Sequence, residues 1–142
     1  MRTSEESLDE LARLYADLDD EMSELGWQCR RCSDCCRFAE FGHELFCSAL
    51  EAELLAGTPG VDAEVADEVC PFLAGVGCTR HERRTISCRT FFCDASDDSR
   101  MSEVTERFVT RLKALHERFG VAWDYARLTD HLKRRKLLQD KA

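Results

Sequence analysis

No apolar run in this 142-residue chain approaches the roughly 20 residues that a helix needs to cross a bilayer. The opening stretch, Met1-Arg2-Thr3-Ser4-Glu5-Glu6, is polar and acidic and has no apolar h-region, so it does not read as a secretory signal. Internal repeats and low-complexity stretches are absent. So are a phosphate-binding glycine loop and a paired-carboxylate signature. A hydrolase site is equally unsupported, since Cys47 and His43 offer only their i, i+4 spacing. Cationic excess is lacking too: the net charge is −8, which makes the whole chain a poor nucleic-acid binder. These absences leave a one-domain chain, 1–142, expected in the cytoplasm and with no membrane partner.

What the sequence has is cysteine: Cys29, Cys32, Cys35, Cys36, Cys47, Cys70, Cys78, Cys88 and Cys93. In a reducing compartment clustered thiols bind metal or do redox chemistry more often than they form disulfides. The odd count also prevents complete internal pairing.

The fold class expected is mainly α, with an irregular cysteine-rich metal-binding core between an N-terminal helix and a C-terminal helical pair. Leu8, Leu11, Tyr15, Leu18, Met22 and Leu25 form one apolar stripe on an acidic helix over 4–25, with Thr3 and Glu6 as its capping box. The stripe fits this chain's own core better than a coiled-coil seam, which needs more heptads. Residues 29–93 hold every cysteine. Short strands are expected around Gly42. A helix is expected from Ser48 to Ala56, with a Ser48–Glu51 capping box and a stop at Gly57. Another short helix is expected over Val61 to Val69, and a turn at Gly75-Val76-Gly77. So irregular a segment buries little apolar surface and needs crosslinks to hold shape. The region 99–138 reads as two helices. Met101, Val104, Phe108, Leu112, Leu115 and Phe119 mark one face of the first, and the second runs from about Trp123 to Leu138. The run Lys133-Arg134-Arg135-Lys136 is read as cations near a helix end that face water.

The strongest motif is Cys29-Arg30-Arg31-Cys32-Ser33-Asp34-Cys35-Cys36. A two-residue gap lets two sulfurs converge on one ion while N–H groups of the turn point at them. Adjacent Cys35 and Cys36 diverge and more naturally face different centres. The second cluster is Cys70-Pro71-Phe72-Leu73, Gly77-Cys78, Cys88-Arg89 and Phe92-Cys93. Eight thiols divide into two tetrathiolate zinc sites, or four could hold a [4Fe–4S] cluster. Cys47 lies outside the pattern and reads as a small buried residue. With eight cysteines available, His43 and His81 read as structural or surface residues.

The order of these residues over 29–93 resembles the YkgJ-type cysteine-cluster family, the CxxCxxCC zinc- or iron-chelating domain. That resemblance implies metal chelation by Cys29, Cys32, Cys35, Cys36, Cys70, Cys78, Cys88 and Cys93. It implies little about a biochemical role. The chain departs from the family at His81-Glu82-Arg83-Arg84-Thr85, where Tyr-Glu-x-Arg-Pro is usual, and at Ser33-Asp34, where the family has a glycine.

The cofactor is therefore expected to be an iron–sulfur cluster or zinc, and the function a metal-chelating protein. The alternatives are an iron–sulfur redox or electron-transfer enzyme and a structural zinc module that meets a protein partner through its helical surfaces. Whether the chain is an enzyme, and its oligomeric state, stay open. All seven bases in 29–93 are arginine. Arginine tolerates partial burial, so Arg84 and Arg89 are expected to hydrogen-bond thiolates or nearby acids.

Overall fold

A computed structural model describes residues 4–26, 36, 38, 44–57, 60–61, 65–74, 77–90 and 99–141. It is mainly helical. In chain order the elements are α1 (Glu5–Glu24), β1 (Phe46–Cys47), α2 (Ala49–Ala56), β2 (Leu73–Ala74), β3 (Gly77–Cys78), α3 (Ile86–Thr90), α4 (Ser99–Phe119), β4 (Ala126–Arg127) and α5 (Leu128–Lys141). No described helix is long and apolar enough to cross a membrane.

Two packed cores organise these elements. The first is the meeting of α1 with α4. Leu11, Leu14, Tyr15, Leu18 and Met22 interleave with Met101, Val104, Phe108, Leu112 and Leu115, all buried. The α1 stripe is thus covered within the chain. Charges frame the seam. Arg111 bonds Asp17 at 2.9 Å, Arg107 grips both oxygens of Glu21, and Arg118 reaches toward Glu6 and Glu10. The Arg107 bond holds the Glu21 carboxyl below its ordinary value. Exposed pairs of this kind add at most about 1 kcal/mol each, so the seam is held mainly by its apolar residues. The cap of α1 falls one residue later than expected. Ser4 is the N-cap and its side chain accepts from the Ser7 N–H at 3.1 Å, whereas Thr3 lies outside the described residues.

The second core collects Phe38, Leu45, Leu55, Val61, Phe72, Leu128 and Leu132 around several cysteines. Helix α2 joins the two cores: Leu50 packs in the first, Ala52 and Leu55 in the second. Its capping box forms as expected, with Ser48 and Glu51 bonding each other's backbone N–H groups. The helix ends at Gly57, with φ +51°. That positive φ is what calls for glycine there, since the nearest atom to a Cβ would be the movable end of the Arg83 side chain.

Glu51 is fully buried and ties three elements together. Its Oε1 accepts the Ser48 N–H at 3.1 Å. Its Oε2 accepts the Tyr15 hydroxyl at 2.9 Å and the Ile86 N–H at 2.7 Å. Burial raises the carboxyl, and the two backbone bonds and Tyr15 oppose that rise.

Several expected boundaries are corrected. The last helix starts at Leu128, not Trp123. Residues 123–125 carry no helix, and β4 pairs antiparallel with β1, Phe46 facing Arg127 and Cys47 facing Ala126. The Leu128 N–H extends that ladder to the Leu45 carbonyl at 2.8 Å. Side chains at alternate positions of an extended segment share a face, and here Trp123 stacks on Tyr125, which stacks on Phe46. Ladder bonds and ring stacking together override the helical pattern. The strand at Phe46–Cys47 therefore pairs with β4, some 80 residues on, while residues 39–43, including Gly42, lie outside the described residues. No helix forms over 65–69. Strand β2 pairs antiparallel with β3, Leu73 facing Cys78 and Ala74 facing Gly77, while residues 75 and 76 of the expected turn lie outside the described residues. The basic run of α5 is paired rather than free. Lys133 meets Asp67, Arg134 meets Asp124, Arg135 meets Glu53 and Lys136 meets Asp140.

Two buried histidines set an acid-sensitive limb. His116 presents Nδ1 to the carbonyls of Val121 and Ala122 and Nε2 to the Ser48 hydroxyl at 2.8 Å, so Nδ1–H donates and Nε2 accepts. His131 presents Nε2 to the Asp124 carbonyl and Nδ1 to the Arg134 guanidinium, so Nε2–H donates and Nδ1 accepts. Burial lowers both below the ordinary histidine value, and Arg134 adds to the effect at His131. The folded state therefore holds fewer protons than the unfolded chain near the ordinary value. Stability is complete above that value and is lost as pH falls through it. The urea midpoint is expected to drop between about pH 7 and pH 5, and the drop to shrink in His131→Gln. An equal drop in the variant would remove His131 from the account.

Candidate metal centre

Of the eight expected ligands, Cys29, Cys32, Cys35 and Cys93 lie outside the described residues. Cys36, Cys70 and Cys88 are buried in the second core, and Cys78 packs against it partly buried. Residues from both sequence motifs are thus brought to one place. The Cys70 N–H donates to the Cys36 carbonyl at 2.8 Å, which fixes the start of the second motif on the end of the first.

The β2–β3 hairpin positions Cys78. Thr79 closes it by donating both its N–H and its hydroxyl to the Phe72 carbonyl, at 2.8 and 2.9 Å. Cys78 Sγ receives a hydrogen bond from the Cys36 thiol and another from the Arg80 N–H at 3.4 Å. The Cys36 bond is the main reason the Cys78 thiol is pulled down to about 6, with the Arg80 N–H and the charges of Arg84 and Arg80 adding to it against burial. Two thiols that share one proton in this way already have sulfur beside sulfur, and ionisation of one is favoured.

Cys88 sits at the start of α3. Its sulfur accepts from the Thr85 hydroxyl at 3.2 Å, and its N–H donates to that same hydroxyl oxygen at 3.2 Å. Thr85 is fully buried, so its hydroxyl is committed to Cys88. Cys47, the cysteine outside the motif, is fully buried beside this group. Burial raises its thiol strongly, with Glu51 and Cys88 contributing, which fits a packing role.

Of the two arginines singled out, Arg89 meets an acid as expected and Arg84 does not. Arg89 is buried and bonds an acid, Asp19, at 2.5 Å. Its remaining donors go to the carbonyls of Arg84 and Glu82, and its guanidinium lies over the Tyr15 ring at 4.4 Å. It anchors α3 to α1. Arg84 donates to the carbonyls of His81 and Cys88 rather than to sulfur or an acid. The arginine whose backbone touches sulfur is Arg80, which the sequence did not single out. Its position two residues beyond Cys78 was the only available signal. His81 opens the short turn before Arg84, and its carbonyl accepts from Arg84 Nε at 2.9 Å; His43 lies outside the described residues.

Among the described residues no three His, Cys, Asp or Glu side chains stand close enough together to hold an ion. The described part of the site is therefore a thiol pair, Cys36 and Cys78, with Cys70 and Cys88 in the same core. Soft sulfur donors in a low-dielectric surround of Phe38 and Phe72 fit zinc or an iron–sulfur cluster and do not suit magnesium or calcium, which take oxygen. Compared with known proteins, the chain matches no family model, no curated protein and no solved structure.

Proposed function

We propose that this chain is a metal-chelating cysteine-cluster protein that holds zinc or an iron–sulfur centre. The observation that carries this reading is the hydrogen bond between Cys36, from the first motif, and Cys78, from the second. Forty-two positions separate them, and nothing but a shared site requires two such thiols to meet. Cys36, Cys70, Cys78 and Cys88 are the described candidates for ligands, and Cys29, Cys32, Cys35 and Cys93 complete the set of eight. Bound metal would crosslink the separate segments of the second core that carry Cys36, Cys70, Cys78 and Cys88, and so would supply folding free energy directly. A cytoplasmic setting suits thiols that must stay reduced.

Burial of Cys36, Cys70 and Cys88 favours a structural centre, with any protein partner meeting the helical surfaces. A second reading, electron transfer by an iron–sulfur centre, is favoured by one observation: Cys78 is only partly buried, whereas Cys36, Cys70 and Cys88 are buried. Anaerobic purification followed by elemental analysis, sulfide assay and a visible spectrum separates these. Two zinc ions per chain without colour are expected for the structural reading; iron, acid-labile sulfide and a brown protein for the other. A protein that contains neither metal, even after reconstitution under reducing conditions, would end both.

A further inference from the structure

Acids are plentiful in this chain, and elsewhere its bases find them: Arg107, Arg111, Arg127, Lys133, Arg134 and Arg135 each meet a carboxylate. Arg80, Arg83 and Arg84 do not. Among the described residues their polar contacts are backbone carbonyls: Gly60 for Arg80, and His81 and Cys88 for Arg84. Arg83 lies close enough to Arg80 for repulsion and burial to lower its guanidinium below the ordinary value. Three neighbouring cations that meet no carboxylate among the described residues, in a chain of net charge −8, leave room for another source of negative charge.

Sulfur lies close by, since the charges of Arg84 and Arg80 both act on Cys78. Arg80 lies with its guanidinium over the Phe72 ring at 5.0 Å, and its backbone N–H already donates to Cys78. Its Nε is buried and has no hydrogen-bond partner, a cationic donor left unused in a place where that is costly. Arg84 is buried with its donors on carbonyls, so it contributes charge and no free N–H. A metal held by four thiolates carries about −2 by formal count, which is the charge these cations lack.

We propose that Arg80, backed by Arg84, is the charge-setting residue of the sulfur centre, with its guanidinium supplying a cationic donor to the thiolates when metal is bound. Arg80 binds no metal; it positions and neutralises the sulfurs that do. This rests on the metal reading, and the test separates the two.

The metal-loaded protein is compared with Arg80→Met, which keeps a side chain on Phe72, with Arg80→Lys, which keeps the charge, and with Arg83→Met as a control. A chromogenic chelator in excess reads the rate of metal loss, and urea midpoints check the fold. Loss of a charge-assisted hydrogen bond is expected to speed release about tenfold in Arg80→Met, with partial rescue in Arg80→Lys and no change in Arg83→Met. If the centre is iron–sulfur, its midpoint potential is expected to fall in Arg80→Met, because an added electron loses a nearby cation. A merely structural role would move neither the Lys rescue nor the potential. Metal-loaded wild type and Arg80→Met that release at the same rate would overturn the arginine proposal and leave the metal reading standing. A wild type that takes up no metal would remove both. If Arg80→Met does not fold, Arg80→Lys decides: wild-type release from it would overturn the donor role.

Discussion

Glu51→Ala is expected to lower the free energy of unfolding by about 4 kcal/mol, with three buried donors each costing roughly 1–3 kcal/mol when orphaned and partial relaxation recovering some of that. The donors are the N–H groups of Ser48 and Ile86 and the Tyr15 hydroxyl, so α1, α2 and α3 lose a common acceptor together. Glu51→Gln retains one oxygen but turns an NH₂ group toward a donor, and is expected to fall between alanine and wild type. Tyr15→Phe removes one donor and leaves Oε2 still accepting from the Ile86 N–H, so it should cost only about 1 kcal/mol. Small domains have about 5–15 kcal/mol in total, so the alanine variant would stand near the edge of folding. Urea titration of the three variants checks the order. Alanine and phenylalanine variants of equal stability would show that the carboxylate is not the shared anchor.

Removing metal with a strong chelator under reducing conditions is expected to act on one core and spare the other. The α1–α4 core contains no cysteine, whereas the second core is built around Cys36, Cys47, Cys70 and Cys88. Structural zinc contributes on the order of 10 kcal/mol in small domains, so the cysteine core should lose its packing when stripped. Amide hydrogen exchange should then rise across β2, β3 and the start of α5, while α1 and α4 keep protection. Cys78→Ser should reproduce the pattern without chelator. Uniform protection before and after stripping would sink both this expectation and the crosslinking role of the metal.

The sequence displays what repeats locally and conceals what is made between distant residues. The α1 stripe, the matching face of α4 and the Ser48–Glu51 cap are readable because each is set within a few positions of the chain. The same Glu51 also accepts from Tyr15 and Ile86, each at least 35 positions away, and no local pattern announces that. The β1–β4 pair escaped notice because two-residue strands are too short to show alternation, and Trp123 to Arg127 carries a pattern that a helix would satisfy equally well. The cysteine motifs identify candidate ligands, and the meeting of Cys36 with Cys78 is the part of that site which the described residues support. Arg80 was invisible because its N–H bond to Cys78 and its buried, unpartnered Nε are made by the fold and leave no mark in the sequence.

The pairing of β1 with β4 also orders events in time. Leu128 and Leu132 belong to the cysteine core, yet a ribosome makes them well after residues 36–90. Until that later stretch emerges, the thiols of the nascent chain lack the lid of apolar side chains that encloses them in the finished protein. The sulfurs are then more open to solvent than they are once α5 docks.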